Sequence, residues 1–164
     1  MGDCPPQTVL IAVPSAVTVE MGDLMFLDNA DDLRNNGSST ATNKGWPFEY
    51  LRVSGSSLEL NKQAAYTQFL GVALDDKDGI DDGADQNITV AVKGKFNFDL
   101  KPPRSVKIYQ QFGASGTTTA SDLFNQKIAV MDDSNYILGR FAESKTYAQN
   151  ADVFIQTIFT RSGS

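Results

Sequence analysis

Apolar and polar residues alternate along many short segments of this chain, the pattern of β-strands with one buried face. The clearest example runs from Ile88 to Leu100, where apolar side chains occupy every second position on both sides of Gly94. Clusters of Gly, Asn, Asp and Ser separate the segments, as turn residues do. The pattern predicts strands over residues 16–19, 24–27, 46–53, 69–74, 88–100, 106–109, 127–131, 136–142 and 152–160.

One stretch has the composition of a short helix. Asn61 is a residue type that caps helix N-termini, and Lys62, Gln63, Ala64, Ala65 and Tyr66 follow it. Many short strands at near-regular spacing, with at most one or two short helices, indicate an all-β fold built as a small antiparallel β-barrel or sandwich. A chain of 164 residues has an ordinary size for one compact domain. We therefore assign residues 16–164 to a single β-barrel domain.

The N-terminal segment, residues 1–15, is predicted to be an extended arm outside that domain. Pro5, Pro6 and Pro14 disfavour helix and leave backbone donors missing. Such a segment either adds a strand to the sheet edge of another chain or is a terminus without a fixed structure. Its aliphatic residues favour docking, because burying each one contributes about 1.5–3 kcal/mol. We expect four of them to be buried against a neighbouring chain: Val9, Leu10, Ile11 and Val13.

Two stretches are predicted to lie outside regular structure. Residues 34–44 are rich in Asn, Gly, Ser and Thr, and they have too little apolar surface to order themselves. Residues 113–119 have the composition of a linker. We expect the first stretch to be an exposed loop and the second to connect two strands.

Two parts of the chain follow the same plan. In each, a strand with a central glycine, Gly71 or Gly139, leads through a polar loop to a β-rich strand. Such a glycine fits a tight bend or bulge at a barrel corner. Two related hairpins and a coincidence both remain open as explanations, because true repeat proteins show more copies. The matching segments are 69–74 with 87–92, and 137–142 with 152–157.

Composition weakens several classes of function. The net charge of −6 and the pI near 4.5 argue against a nucleic-acid binder, whose footprint is a basic excess. Histidine is absent, which removes the commonest general base, the commonest metal ligand and every Ser–His or Cys–His nucleophile pair. We expect a protein that is not an enzyme and uses no cofactor.

The chain shows neither a signal peptide nor an apolar run of the roughly 18 residues that mark a membrane span. We therefore expect a soluble chain, made in the cytoplasm, that has no membrane partner. Its single cysteine, Cys4, has no second cysteine for an internal disulfide. We interpret Cys4 as an incidental exposed thiol.

The segment from Asp75 to Gln86 is acidic, and its carboxylates alternate around a glycine as in loops that surround calcium. The match to an EF-hand loop fails, because Ile80 stands where a third oxygen ligand should follow and no bidentate glutamate comes later. A solvated hairpin loop that protects a sheet edge also explains the clustered charge. We expect no metal here, and four residues remain weak calcium candidates: Asp76, Asp78, Asp82 and Asp85.

Five of the 14 basic residues fall close together: Lys93, Lys95, Lys101, Arg104 and Lys107. Within the predicted strand over residues 88–100, Lys93 and Lys95 should share one face, while Phe96 and Phe98 turn toward the core. A solvated face is the simpler interpretation of these residues. The functional interpretation is a docking patch for an acidic surface, where complementary charge speeds docking and fixes orientation more than it adds affinity.

Four short motifs follow one another across most of the chain, from Val17 to Phe159. Each is a turn or strand motif in its predicted place. They are Gly22-Asp23-Leu24, the Leu-Gly-Val-Ala of residues 70–73, the Val-x-Val-x-Gly-x-Phe of residues 90–96, and the Ile-Leu-Gly-Arg of residues 137–140.

In this arrangement the chain resembles the small capsid decoration proteins, also called cement proteins, of tailed bacteriophages. The resemblance implies a structural protein, a compact β-barrel that forms homotrimers on the outer capsid surface of the virion. Its partner would be the major capsid protein, whose neighbouring subunits it ties together. The chain departs from shorter members by an insertion over residues 28–45 and by a longer second half, and both departures leave the trimer contacts open.

A second class of function stays open beside this one. The chain has the character of a receptor- or carbohydrate-binding β-module, such as part of a virion fibre. Its stacking surfaces would be Trp46, Tyr50 and Tyr66, because aromatic rings present one apolar face and, in Trp and Tyr, a polar handle. Co-sedimentation with empty capsids, or with glycans and cells, separates the two classes.

Overall fold

The computed structural model describes residues 6–35, 38–53, 57–80, 82–117, 121–131 and 136–160. Nearly all of the regular structure among these residues is β-strand, so the predicted all-β fold is confirmed. The elements are β1 (Gln7–Val13), β2 (Leu24–Leu27), β3 (Gly45–Pro47), a 3₁₀ turn (Phe48–Tyr50), α1 (Leu58–Gln68), β4 (Phe69–Ala73), β5 (Gln86–Lys93), β6 (Lys95–Val106), β7 (Gln111–Gly116), β8 (Leu123–Val130), β9 (Gly139–Phe141) and β10 (Lys145–Ile155).

The strands form two sheets that share one core. The first sheet is antiparallel, with the strand order β1-β5-β4-β2-β3, and the second closes into a barrel with the order β10-β6-β8-β7-β9. Within the barrel, β6 and β8 run parallel, while the other pairs are antiparallel. One cluster of buried side chains joins the sheets, with Phe26 and Phe69 on the first sheet and Phe112 and Phe141 in the barrel.

The segment with the clearest strand pattern consists of two strands. β5 ends at Lys93 in the first sheet, and β6 begins at Lys95 in the barrel. Gly94 lies between them with a φ of +152°, which favours glycine. A Cβ at this position would lie 3.1 Å from both Phe96 and Pro6. The alternation is therefore real on both sides of Gly94, but the chain passes from one sheet to the other there.

β1 is a strand of the first sheet and not a separate arm. Residues 8–13 pair antiparallel with residues 86–91 of β5. Val13 is fully buried, and Val9 and Ile11 pack against the same core. The assignment of residues 1–15 to an arm outside a domain of residues 16–164 is thus wrong for residues 7–13, because alternate side chains of a paired strand face the chain's own core. Residues 1–5, with Cys4, lie outside the described residues.

The predicted helix is present as α1, but its N-cap is not Asn61. Ser57 caps it, since its Oγ accepts a hydrogen bond from Leu60 N at 3.1 Å. Asn61 is buried inside the helix, where its side chain accepts from Val53 N at 3.0 Å and donates to Ser121 O at 2.7 Å. Among the described residues, no helix is long and apolar enough to cross a membrane.

Several strand boundaries differ from the prediction. β6 continues through Pro102 and Pro103 to Val106, and residues 107–109 are not a strand. β7 occupies part of the segment that was interpreted as a linker, and its Phe112 and Ala114 are buried. The predicted strand over residues 16–19 reduces to a single bridge between Val19 and Lys77. Residues 118–119 of the predicted linker lie outside the described part of the chain.

The loop between β2 and β3 is ordered around Asp28. The Oδ2 atom of this fully buried residue accepts hydrogen bonds from Arg34 Nε at 2.9 Å, Thr42 N at 3.1 Å and Thr42 Oγ1 at 2.8 Å. Arg34 also lies 4.2 Å over the ring of Trp46, whose Nε1 donates to Thr42 Oγ1 at 3.0 Å. The expectation of a wholly exposed loop is therefore wrong in the described part, because hydrogen bonds to Asp28 Oδ2 order the loop in place of apolar burial. The Oδ1 atom of Asp28 is buried without a hydrogen-bond partner among the described residues. Residues 36–37 lie outside the described part.

The two hairpins of the internal echo share a structural cause for their glycines. β4 pairs antiparallel with β5, and β9 pairs antiparallel with β10. A Cβ on Gly71 would overlap the carbonyl oxygen of Ala91, and one on Gly139 would overlap that of Phe154. In both hairpins the glycine admits the backbone of the returning strand.

Candidate docking surface

The five clustered basic residues are all exposed and follow one strand of the barrel. Lys93 ends β5, Lys107 follows β6, and the other three lie on β6 itself. Phe98 and Leu100, on the opposite side of β6, are buried. β6 has 12 residues, which at about 3.3 Å each span roughly 40 Å. The residues are distributed along this length, and we call them the basic stripe: Lys93, Lys95, Lys101, Arg104 and Lys107.

The middle of the basic stripe is polar but not basic. Asn97 Nδ2 donates to Asp152 Oδ1 at 2.9 Å on the neighbouring strand β10. Asp99, next on the outer side of β6, pairs in register with Lys127 of β8. The expectation that Lys93 and Lys95 share one face of a single strand is wrong, since Gly94 separates two strands there. The basic side chains thus gather toward the two ends of β6.

One end of the stripe carries exposed aromatic side chains. Tyr109 is 66% exposed and Tyr147 is 68% exposed, and Ile108 beside them is also exposed. Arg104 and Lys107 contribute exposed basic side chains to the same end. We call residues 104–109 and 144–147 the tyrosine end.

Cross-loop hydrogen bonds hold the backbone of the tyrosine end. Tyr147 N donates to Ser105 Oγ at 3.2 Å, and Tyr109 N donates to the carbonyl oxygen of Phe141 at 2.8 Å. Both tyrosines have positive φ, +68° at Tyr109 and +50° at Tyr147. Bulky residues rarely adopt this conformation, and it persists where the surroundings over-determine it. The two exposed tyrosine side chains therefore project into solvent from a backbone that hydrogen bonds hold in place.

Three of the four calcium candidates have separate partners within or beside the acidic loop. Asp76 Oδ1 accepts from Met21 N at 2.7 Å, and Asp82 Oδ1 accepts from Ala84 N at 2.9 Å. Asp85 forms an ion pair with Lys44 at 2.6 Å, and Asp78 is exposed. In the part of the chain that the structure describes, no three His, Cys, Asp or Glu side chains come close enough to hold a metal ion.

A lysine of the chain itself lies inside this loop. The Nζ atom of the buried Lys77 donates to the carbonyl oxygens of Ser15 and Val17 at 2.8 Å each and of Asp78 at 3.1 Å. Three carbonyl oxygens around an ammonium group satisfy its three donors. Lys77 thereby ties the acidic loop to the segment after β1. The sequence motif gave no indication of this role, because Lys77 occupies an unremarkable position among the acidic residues.

The acidic loop has an apolar margin. Met21 and Ile80 are both more than half exposed, and Met21 lies beside Asp76 through the hydrogen bond above. Asp78 and Asp82 are exposed on the same loop. We call residues 75–80 and 82–85, together with Met21, the acidic turn.

A cleft of about 320 Å³ lies where the first sheet meets the barrel, between residues 18–23, Glu49 and residues 124–127 of β8. Asp23 is buried in it, and burial raises the pKa of its carboxyl, with the charges of Glu20 and Glu49 acting in the same direction. Hydrogen bonds from Glu20 N at 2.9 Å and Gln126 Nε2 at 2.8 Å act in the opposite direction. Both carboxylate oxygens thus have protein donors, and Asp23 joins the two sheets.

The aromatic residues proposed as a sugar-stacking surface do not form an open platform. Trp46 is only 9% exposed, lies beneath Arg34, and packs against Tyr50 with ring centroids 5.3 Å apart. Tyr66 is half-buried and packs against Tyr136 at 6.4 Å. The exposed aromatic side chains at the tyrosine end were missed from the sequence, because the segment around Tyr109 was interpreted as a strand.

The four aliphatic candidates of β1 also differ in what they offer a partner. Val13 is fully buried, and Val9 and Ile11 contact the core. Leu10 is 70% exposed on the outer side of β1. Of these four, only Leu10 projects most of its side chain into solvent.

In comparisons with known proteins, no family model matches the chain, and neither does any curated protein or solved structure.

Proposed function

We propose that the protein is a structural virion protein that binds the outer surface of a phage capsid and stabilises the shell. The observation that supports this best is the basic stripe, which runs along the barrel of a molecule with a net charge of −6. The partner would be an acidic surface of the major capsid protein. The motif resemblance to capsid decoration proteins supports the same function.

The physical basis of such a function is contact alone. A protein that binds only the assembled lattice stabilises it by mass action, since each bound copy must dissociate before the lattice comes apart. Complementary charge along β6 would speed docking and set the orientation of the bound copy. The two fused sheets offer a surface that needs little ordering on binding, which limits the entropic cost.

The alternative is a receptor- or carbohydrate-binding module of a virion fibre. Trp46, Tyr50 and Tyr66 give it little support, because their rings pack on other residues. Exposed Tyr109 and Tyr147 are the observation in its favour, since aromatic rings stack on sugars.

Co-sedimentation tests the proposal and its alternative together. The purified chain is incubated with empty capsids of the source phage and, separately, with glycans and host cells. We expect it to sediment with capsids only, and less so as salt increases, because exposed charges are screened within about 10 Å at 0.1 M salt. Binding to glycans or cells without binding to capsids would support the alternative instead.

Charge reversal locates the contact. Lys95→Glu together with Lys101→Glu should weaken capsid binding at least about tenfold, equal to roughly 1.4 kcal/mol. The single variant Lys95→Glu has a matched control in Lys62→Glu, which makes the same charge change on α1, outside the basic stripe. Lys62→Glu should leave capsid binding near that of the wild type. Equal binding by the Lys95 and Lys62 variants would show that the stripe does not contact the capsid.

A further inference from the structure

We propose that copies of this chain bind one another head to tail, with the tyrosine end of one copy against the acidic turn of the next. The inference concerns contacts between copies and does not depend on capsid binding. It assigns Arg104 and Lys107 to the neighbouring copy, which leaves Lys93, Lys95 and Lys101 of the basic stripe for the capsid. Both surfaces lie on the same chain. Their charges and their exposed apolar side chains can therefore be compared directly.

The tyrosine end has the composition of a protein–protein contact. Tyr109, Tyr147 and Ile108 are exposed together with Arg104 and Lys107. Tyr and Arg are the residue types enriched where binding energy concentrates in interfaces. The cross-loop hydrogen bonds fix the backbone that carries both tyrosines, so little conformational freedom is lost when a partner binds.

The acidic turn has the matching composition with the opposite charge. Met21 and Ile80 are its exposed apolar side chains, and Asp78 and Asp82 are its exposed acidic ones. The buried Lys77 holds the turn against residues 15–17 through its three carbonyl contacts. Each surface thus pairs apolar anchors with charges that the other surface complements.

Charge also decides which surfaces meet. Two tyrosine ends in contact would bring Arg104 and Lys107 against their own copies, and two acidic turns would do the same with carboxylates. Juxtaposed like charges oppose association. A tyrosine end against an acidic turn avoids both conflicts. This contact joins two different surfaces, and repeating it closes a ring when the rotation between copies allows.

Two double variants each remove one half of the interface. Tyr109→Asn with Tyr147→Asn removes both rings, and asparagine tolerates the positive φ at these positions. Met21→Ser with Ile80→Ser removes the apolar side chains of the acidic turn. Phe159→Asn, at an exposed aromatic residue outside both surfaces, is the control. Circular dichroism and thermal unfolding establish that every variant is folded.

Sedimentation velocity then measures association at up to about 100 μM protein. We expect the wild type and Phe159→Asn to form oligomers that weaken between about 0.05 and 0.5 M salt, and each double variant to be monomeric. An equimolar mixture of the two double variants should form a dimer, because one intact tyrosine end and one intact acidic turn remain in it. A head-to-head interface would not be restored by mixing.

Three results would overturn the proposal: a monomeric wild type at all concentrations, a tyrosine-end variant that still associates, or a mixture that stays monomeric. If the wild type is monomeric while the tyrosine-end variant loses capsid or glycan binding, that partner occupies the tyrosine end instead of a second copy. If the wild type associates as expected yet does not bind capsids, the proposed function fails and this inference stands.

Discussion

Three buried ionisable side chains, Asp23, Asp28 and Lys77, organise the irregular parts of the molecule. Asp28 gathers the loop between β2 and β3 through three donors to its Oδ2 atom. Lys77 ties the acidic turn to residues 15–17 through the carbonyls of Ser15, Val17 and Asp78. Asp23 links residues 20–23 to β8 of the barrel. In Asp23 and Lys77, hydrogen bonds inside the protein replace contacts with water, which a buried charge requires. Asp28 has such bonds at Oδ2 only, and its Oδ1 atom has no partner among the described residues.

Replacing Asp23 with asparagine should stabilise the protein at neutral pH. The folded-state pKa of Asp23 is raised, chiefly by burial, so its contribution to stability is fully present below the unfolded pKa and is lost as pH rises through the folded pKa. Asparagine stays neutral at every pH. It keeps both hydrogen bonds if its Oδ1 accepts from Glu20 N and its Nδ2 donates to a rotated Gln126 amide.

The measurement is the free energy of unfolding by urea between about pH 4 and pH 7. Asp23→Asn should exceed the wild type most at pH 7, and the difference should shrink as pH falls toward 4. Asp78→Asn, at an exposed position, is the control and should stay within about 0.5 kcal/mol of the wild type. A variant that is less stable than the wild type at pH 7 would contradict this account of the cleft.

Replacing Lys77 with methionine should destabilise the protein by about 1–3 kcal/mol or more, because the carbonyl oxygens that it contacts lose a charged donor inside the fold. Methionine keeps much of the length of the side chain and removes the ammonium group. Lys101→Met, at an exposed position on β6, is the matched control and should change the free energy of unfolding by less than about 0.5 kcal/mol. Equal effects in urea unfolding would show that the three contacts of Lys77 contribute nothing.

At the scale of elements, β1 decides whether the N-terminal residues belong to the fold. Val13→Ala should cost about 2 kcal/mol, because a fully buried valine contributes roughly 1.5–3 kcal/mol and Val13 is completely buried. Leu10→Ala removes more atoms from the same strand, yet Leu10 is 70% exposed, so its cost should be below about 0.5 kcal/mol. Urea unfolding of both variants compares them.

Deleting residues 2–14 is the element-scale counterpart of those substitutions. β1 pairs with β5 from residue 7 to residue 13 and covers part of the core. The truncated chain should therefore be strongly destabilised, and its thermal unfolding should occur at a lower temperature or without a cooperative transition. Cooperative melting at the wild-type temperature would restore the interpretation of this segment as an independent arm.

At the scale of the whole molecule, calcium should have little effect on stability. Three of the four candidate carboxylates have separate partners, and the Lys77 ammonium binds the backbone carbonyl of Asp78 in the same loop. Even a site with a Kd of about 5 mM would add only about 0.4 kcal/mol at 5 mM calcium, which corresponds to roughly 1–2 °C in a protein of this size. Thermal unfolding with calcium, with magnesium and with a chelator measures this. A rise of about ten degrees in calcium alone would reveal a tight site.

Alternation and turn residues by themselves predicted the all-β fold and placed most strands. Short-range pattern carries this information because a strand with one buried face must alternate, whatever it pairs with. The exposure of the basic stripe was predicted for the same reason, since Lys95 and Lys101 fall on the side of β6 opposite Phe98 and Leu100. The charge of the chain, and its lack of histidine, are likewise properties of the sequence alone.

Only the tertiary structure decided which segments belong together. It made β1 a strand of the first sheet, turned a linker-like segment into β7, and divided the strand over residues 88–100 at Gly94. It also buried Asp23, Asp28 and Lys77, which look in the sequence like ordinary loop residues. These outcomes depend in part on distant partners, such as Thr42, 14 positions from Asp28, and Gln126, 103 positions from Asp23. A local sequence pattern shows the periodicity of one segment only. The free energy of strand pairing and side-chain burial also depends on the distant segments that the strand packs against.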